Sequence, residues 1–363
     1  MRRRHFEGLK PVCPVCRAAR GVEAPLALAV VLRESGEHIV EGTLRCPEAS
    51  CQREYPIVDG IPLLVGNLRA YVTGAIDQIQ ARDDLTAETE SLLGDCCGPG
   101  SAFDISRQHL STYAWDHYGD LDPDEPAASP APGSILRLLD RGLTLAKKLP
   151  RGPVLDIGCS VGRGSFALAA LADLSGGLVL GVDLSYAMLR LASQVLREER
   201  VRYPRRRVGL VYDRRDFPAR FSGAENVDFW ACDALALPFP AGTFGTIAAL
   251  NVLDCVPSPH DLLDSLPSLL AKKGKAILST PHDWSTAATP VESWLGGHSQ
   301  RGPLAGASEP VLRALLTPGA HPASIDGLEI LAEEPDVSWH VRMHDRAVME
   351  YRSHLVVVRN VGG

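Results

Sequence analysis

Two sets of residues in this chain have types and spacings that could do chemistry. The first is Asp156-Ile157-Gly158-Cys159-Ser160-Val161-Gly162-Arg163-Gly164, which follows the apolar run Pro153-Val154-Leu155 and precedes Leu180-Gly181-Val182-Asp183. Gly158, Gly162 and Gly164 let the backbone turn sharply and bring a ligand up to bare amides. Asp183 ends the next apolar run, where a carboxylate can chelate a ribose diol. A dinucleotide site would show Gly-x-Gly-x-x-Gly straight after the strand, tuned to a pyrophosphate. Here an acid, Asp156, stands two residues before the first glycine, and it would repel a pyrophosphate. It suits a ligand with a cationic amino-acid end. The second set is Cys13-Pro14-Val15-Cys16 with Cys46-Pro47-Glu48-Ala49-Ser50-Cys51. Two thiolate pairs on tight turns can close a tetrahedral zinc site. Four thiolates leave no open position, so such a metal is structural.

Asp-x-Gly-Cys-x-x-Gly-Arg-Gly resembles the first motif of class I S-adenosylmethionine-dependent methyltransferases. The run Asp228 to Phe239 is similar to that family's third motif, where Asp233 would accept from the adenine amino group and the Ala234 amide would donate to a ring nitrogen. Phe244 to Leu250 reads as an apolar strand ending at Asn251-Val252-Leu253-Asp254, where the family faces its substrate. Lys275 to Pro281 supplies another strand after Lys272-Lys273-Gly274. The resemblance implies an α/β fold: a doubly wound, mostly parallel, seven-stranded Rossmann-like sheet with a reversed last hairpin. It implies S-adenosylmethionine as cofactor, held by Asp156, Gly158, Cys159, Gly162, Asp183, Leu184, Met188, Asp233, Ala234 and Asn251.

Residues from Tyr55 to Val65 closely resemble the end of the small zinc-binding activator of tRNA, ribosomal and protein methyltransferases, and the likeness runs from about Lys10. In that family a zinc knuckle and a small sheet dock on a methyltransferase partner; here the module would be fused to its client. The expected organisation is a zinc-ribbon domain over 1–66, a helical connector and lid over 67–133, and a methyltransferase domain over 134–363. Acids among the module's bases (Glu34, Glu37, Glu41, Glu48, Glu54, Asp59) and the lack of an aromatic-basic stripe point away from nucleic acid.

Elements that must position these residues can also be read. Leu68 to Leu93 has helical spacing. Ser106 to Asp120 carries Tyr113, Trp115, Tyr118, His109 and His117 ahead of a Pro/Ala/Ser-rich linker over Asp122 to Gly133. That segment reads either as a lid excluding water from a reactive donor or as a surface helix packing aromatics on the core. Ser134 to Leu149 reads as an amphipathic helix leading into the first strand.

Thr280-Pro281, Trp294-Leu295-Gly296-Gly297 and the charged turn before the last strand resemble one branch of the superfamily, the carboxy-terminal methyltransferase domain of the ovothiol-biosynthesis enzyme, which methylates an imidazole nitrogen. This chain lacks that enzyme's iron-dependent domains. Methyl transfer is an in-line displacement needing alignment and desolvation, and a base only when the acceptor is protonated. Candidate catalytic residues are His282, Asp283 and Asn251; His282 and Asp283 could orient or deprotonate an acceptor, or cap the following turn. Candidate substrate residues are Tyr113, His117, Asp254, Trp284 and Arg342, with His340 and His344 nearby. Arg342 could face a substrate carboxylate or form a surface salt bridge. The expected reaction is methyl transfer to a small molecule or peptide side chain at nitrogen, imidazole or amine. The alternatives are a tRNA or rRNA methyltransferase and a non-catalytic cofactor-binding scaffold.

Composition narrows the field. A length of 363 residues suits two domains, and no run is apolar enough for a membrane span. Without a secretion signal at Met1-Arg2-Arg3-Arg4-His5, a cytoplasmic location is expected. A net charge of −7 argues mildly against RNA, though nine arginines (Arg197, Arg200, Arg202, Arg205, Arg206, Arg207, Arg214, Arg215, Arg220) crowd one insertion. That insertion reads as a solvated loop, with an anion-binding patch as the alternative. Nine cysteines in such a chain point to metal or burial. Cys96-Cys97 lack partners for a metal, and Cys159, Cys232 and Cys255 read as packing residues. Oligomeric state is not legible.

Overall fold

A computed structural model describes residues 1–81, 85–127, 130–171 and 177–362; residues 128–129 of the expected linker therefore lie outside the described residues. The chain begins with α1 (Arg3–Leu9), α2 (Pro14–Arg20), β1 (Ala27–Ser35), β2 (His38–Arg45), β3 (Glu54–Val58) and β4 (Ile61–Leu64). Helices α3 (Leu68–Gln80), α4 (Ala87–Cys97), α5 (Ala102–Tyr118) and α6 (Ser134–Ala146) follow. Then come β5 (Val154–Ile157), α7 (Arg163–Ala169), β6 (Val179–Asp183), α8 (Tyr186–Glu198), β7 (Arg200–Val208), β8 (Val211–Pro218), β9 (Val227–Cys232) and β10 (Phe244–Leu250). The remainder is α9 (Pro259–Leu269), β11 (Leu270–Thr280), α10 (Ser308–Leu315), β12 (Leu328–His344) and β13 (Ala347–Asn360).

Seven strands form the expected sheet in the order β9-β6-β5-β10-β11-β13-β12, the first five parallel and β13 antiparallel to both its neighbours. Strands β5, β9 and β10 are buried along their whole length. That follows from near-continuous apolar runs covered by helices on both faces. The strands of the amino-terminal module join this sheet. Strand β4 pairs in parallel with β9 (Leu63 with Ala231, Leu64 with Cys232), and β1 to β4 extend the sheet to eleven strands. The physical reason lies at the edges: β4 is buried throughout, and β9 would otherwise leave unpaired amides on an apolar edge. Module residues Leu9, Ile39, Tyr55 and Leu64 share one core with Trp230, Phe239 and Ile247.

The arginine insertion is a correction: it is the β7–β8 hairpin and not a loop. Arg200 and Arg202 pair with Asp216, Arg214 with Glu90, Arg215 with Asp122, and Arg220 with Glu199. Arg205, 6% exposed, is clamped between Glu125 and Asp345. Acids on the hairpin and its neighbours pair with most of these arginines, which reduces the field this face offers to a polyanion.

Candidate active site and metal centre

The carboxyl ends of β5, β6, β9 and β10 open on a cleft of about 490 Å³, roofed by α5 and by the β12–β13 hairpin. Among its lining residues are Asp156, Gly158, Cys159, Asp183, Leu184, Met188, Asp233, Ala234 and Asn251. The cleft therefore gathers all the sequence-predicted cofactor residues except Gly162. A Cβ on Gly162 would lie 2.6 Å from the Phe229 ring and 2.9 Å from Ala192, so this glycine closes helix α7 onto the sheet and is not in the cleft wall. Gly158 has φ 69°, and a side chain there would meet Val252 at 2.5 Å.

The local chemistry on this side is that of carboxylates held by amides. Asp183 accepts from Ser160 N at 2.9 Å and from Ser185 N at 2.8 Å, one bond to each oxygen. A carboxylate has about four lone-pair positions, so both oxygens keep capacity for a diol. Asp233 uses Oδ1 to accept from Leu235 N at 2.9 Å, which leaves Oδ2 for an amino group. Asp156 holds the Ser165 hydroxyl at 2.6 Å, and burial pushes its carboxyl up to about 7. No arginine or lysine lines the cleft among the described residues. This donor set fits S-adenosylmethionine: acids that would take its ammonium and ribose, apolar Leu184 and Met188 that would suit its purine, and no cation to repel its sulfonium.

The other half of the cleft is built from Tyr113, His109 and His117 of α5, from Asn251, Asp254, Cys255 and Asp283, and from Trp339 and Tyr351. His109, Tyr113 and His117 are spaced by four, which puts them on one face of α5; Trp115 and Tyr118 turn into the core. The segment thus serves as both cleft wall and packing helix. His117 Nδ1 accepts from Arg163 N, and burial first, then Arg163, lowers its pKa to about 3, so it is neutral. Asn251 sits at φ 55° with Oδ1 accepting from Ser279 and Ser353, while Nδ2 is buried without a partner. Asp254 is 4% exposed; its Oδ2 accepts from Asp283 N at 2.9 Å, and Oδ1 has no partner. Burial raises its pKa. Tyr351 donates to Asp283 Oδ2 at 3.0 Å and stacks on Trp339 at 5.2 Å.

Three substrate-side expectations are corrected. His282 does not line the cleft: its Nε2 lies 3.4 Å from His354 Nδ1, and His354 in turn meets Glu333. Burial lowers its pKa to about 4. Trp284 donates to Ser308 and stacks on Trp294 at 6.3 Å, and a Cβ on Gly297 would meet it at 2.8 Å. The Trp-Leu-Gly-Gly segment is therefore a packing knot beside the cleft. Arg342 is 3% exposed, bonded to Asp345 and to the Arg206 carbonyl, and outside the cleft wall. His340 and His344 are also outside it. The sequence reading passed over His109, Trp339 and Tyr351 as site residues. His109 was findable from its spacing to Tyr113 and His117. Trp339 and Tyr351 depend on a cross-strand register that no local pattern shows.

The four cysteines converge as their spacing predicts. All four sulfurs lie within 4.8 Å of one another, with Cys13–Cys51 at 3.8 Å and Cys16–Cys46 at 3.7 Å. Tetrahedral zinc with Zn–S of about 2.3 Å has S···S edges of about 3.8 Å. The donor set fits a structural zinc. Tyr55 and Arg20 also reach the sulfurs of Cys13 and Cys16.

Residues 131–307 match the methyltransferase domain family, and residues 12–60 match the Trm112p-like protein family. Ubiquinone biosynthesis O-methyltransferase of Coxiella burnetii is 24% identical over 183 residues, 48% of this chain and 64% of that protein. The chain thus spans less than two thirds of the length of these curated relatives. A S-adenosylmethionine-dependent methyltransferase structure from Methanosarcina mazei aligns with TM-score 0.39 and 18% identity, over 61% of this chain and 98% of that one. Phosphoethanolamine N-methyltransferase 2 of Haemonchus contortus aligns with TM-score 0.34 and 20% identity, over 49% and 34%. No helix among the described residues is long and apolar enough to cross a membrane. The chain joins, in one polypeptide, a four-cysteine module that matches the Trm112p-like protein family to a domain that matches the methyltransferase domain family.

Proposed function

We propose that this chain transfers a methyl group from S-adenosylmethionine to a nitrogen of a small molecule or a peptide side chain. The observation that carries this is one cleft holding Asp156, Asp183 and Asp233 at three adjacent strand ends, opposite a second wall of aromatic rings and carboxylates. In this reading Asp183 chelates the ribose, Asp233 and Ala234 read the adenine, and Asp156 faces the ammonium end. Asn251, Asp254 and Asp283 border the acceptor, with Tyr113 and His117 as its roof. The bound cofactor supplies an electrophilic methyl group on a sulfonium. The chain's own work is to align the acceptor and to exclude water.

Oxygen is the second reading, supported by the name of the Coxiella relatives, which are O-methyltransferases. The test is incubation with methyl-labelled S-adenosylmethionine and a cell extract split into RNA, protein and small-molecule pools. Label in the small-molecule or protein pool is the expected result, and mass spectrometry then assigns the atom. Label confined to RNA overturns it. Cofactor binding without label in any pool points to a scaffold.

A further inference from the structure

We propose that the acceptor is a cationic amine, an ammonium ion in solution, recognised by Asp254 and Asp283 beneath Tyr113, Trp339 and Tyr351. This deepens the methyltransferase reading and rests on it. Three features of the acceptor wall support it.

The first is charge. Asp254 and Asp283 are tied together through Asp283 N, and Asp283 is tied to Tyr351. No arginine or lysine lines the cleft among the described residues, and Arg342 is consumed by Asp345. Two neighbouring carboxylates in a semi-enclosed wall lack a countercharge that only a ligand can bring. A carboxylate- or phosphate-bearing acceptor would meet repulsion instead. The second is a weakly met valence: Asp254 is 4% exposed, lines the cleft, and its Oδ1 has no partner at full hydrogen-bond geometry, with only the Thr280 side chain close to the carboxylate. A buried acceptor atom left open is costly unless a donor arrives, and an ammonium N–H is such a donor. The third is the rings: Trp339 and Tyr351 stack at 5.2 Å, and both line the cleft with Tyr113. Aromatic faces favour a cation over a neutral or anionic group.

The same wall accounts for the proton. An ammonium nitrogen has no free lone pair, so it must lose one N–H before it can attack. That proton passes to the Asp254 carboxylate, and the freed pair forms the nitrogen–carbon bond to the methyl group. The carbon–sulfur bond breaks with its electron pair left on sulfur, giving a neutral thioether and an N-methylammonium product. Asp254 then returns its proton to water.

The test separates this inference from the reading beneath it. The small-molecule pool is divided by ion exchange into cationic, neutral and anionic fractions before incubation with methyl-labelled donor. Label in the cationic fraction supports the proposal. Label in the neutral or anionic fraction alone, or in RNA, overturns it while a methyltransferase remains; failure to bind S-adenosylhomocysteine overturns both. Binding gives a second readout: the full chain, saturated with S-adenosylhomocysteine, is titrated by calorimetry with benzylamine, benzyl alcohol and benzoate. Benzylamine should bind at least tenfold tighter than the other two, and equal or absent binding of all three overturns the proposal. Asp254→Asn should weaken benzylamine at least tenfold with S-adenosylhomocysteine affinity unchanged, which certifies the fold, and Asp254→Glu should restore part of it. Unchanged benzylamine binding in Asp254→Asn overturns the role of Asp254.

Discussion

Single side chains in this cleft carry opposed demands of ligand and fold. Asp156 is buried in the cleft wall, and that burial raises its pKa from 3.8 to about 7. The folded chain therefore holds a proton that the unfolded chain releases near pH 4, and stability of the cofactor-free protein falls as pH rises from about 4 to about 7. Asp156→Asn should raise the melting temperature at pH 8, leave it unchanged at pH 4, and weaken cofactor about tenfold, roughly 1.4 kcal/mol. Thermal scans at both pH values and cofactor titration check the three effects together. Asp183→Ala should cost more, about 2–3 kcal/mol of cofactor binding, because a charged partner of two hydroxyls is lost. Ser160, Asn251 and His282 all have positive φ, at 51°, 55° and 56°, each just past the carboxyl end of β5, β10 or β11. Such conformations cost on the order of 1 kcal/mol each and re-aim the chain at the strand ends.

At the scale of elements, the wall of aromatic rings and carboxylates depends on two joints. Asp116 on α5 accepts from Ser134 N and Oγ at 2.6 Å, from Ile135 N at 3.0 Å and from Trp339 Nε1 at 3.1 Å. One carboxylate thus ties α5 to the start of α6 and fixes the indole over the cleft. Asp116→Ala should lose about 3 kcal/mol of stability, since several buried donors are left open. It should also loosen acceptor binding more than cofactor binding, measurable as a KM change for acceptor alone. The second joint is Arg205 between Glu125 and Asp345, linking the β7–β8 hairpin to the roof hairpin. Arg205→Ala leaves a buried acid unpaired and should cost about 3–5 kcal/mol. Arg200→Gln, on an exposed pair, should cost less than about 1 kcal/mol. Denaturant titration separates them.

Across the whole molecule, the zinc module is part of the cofactor pocket's frame. Strand β4 pairs with β9 at Cys232, one residue before Asp233. Val12 N donates to the Pro238 carbonyl, and Arg17 to that of Leu237, on the loop that follows. Just beyond the module, Tyr71 on α3 donates to the Leu184 carbonyl at 3.0 Å. The loops that carry Leu184 and Asp233 into the cleft are thereby braced from one side. Removing zinc with a chelator should weaken S-adenosylhomocysteine binding by about tenfold or more, and restoring zinc should recover it. Calorimetry before and after metal return reads this directly, and unchanged affinity would separate the module from the pocket.

The sequence by itself determined what depends on near neighbours along the chain. The thiolate pairs Cys13/Cys16 and Cys46/Cys51, the glycine turn at Gly158, and the acids Asp156, Asp183 and Asp233 each announce themselves through spacing, because one turn or one strand end positions them. The seven-strand core was legible for the same reason, as each buried strand is a short apolar run. Only the tertiary structure decided which faces meet. It joined β4 to β9, drew the hairpin arginines into ion pairs, turned His282 toward His354, and brought Trp339 and Tyr351 over Asp254 and Asp283. Those outcomes rest on sheet register and helix packing over tens to hundreds of residues, where no local period carries the information.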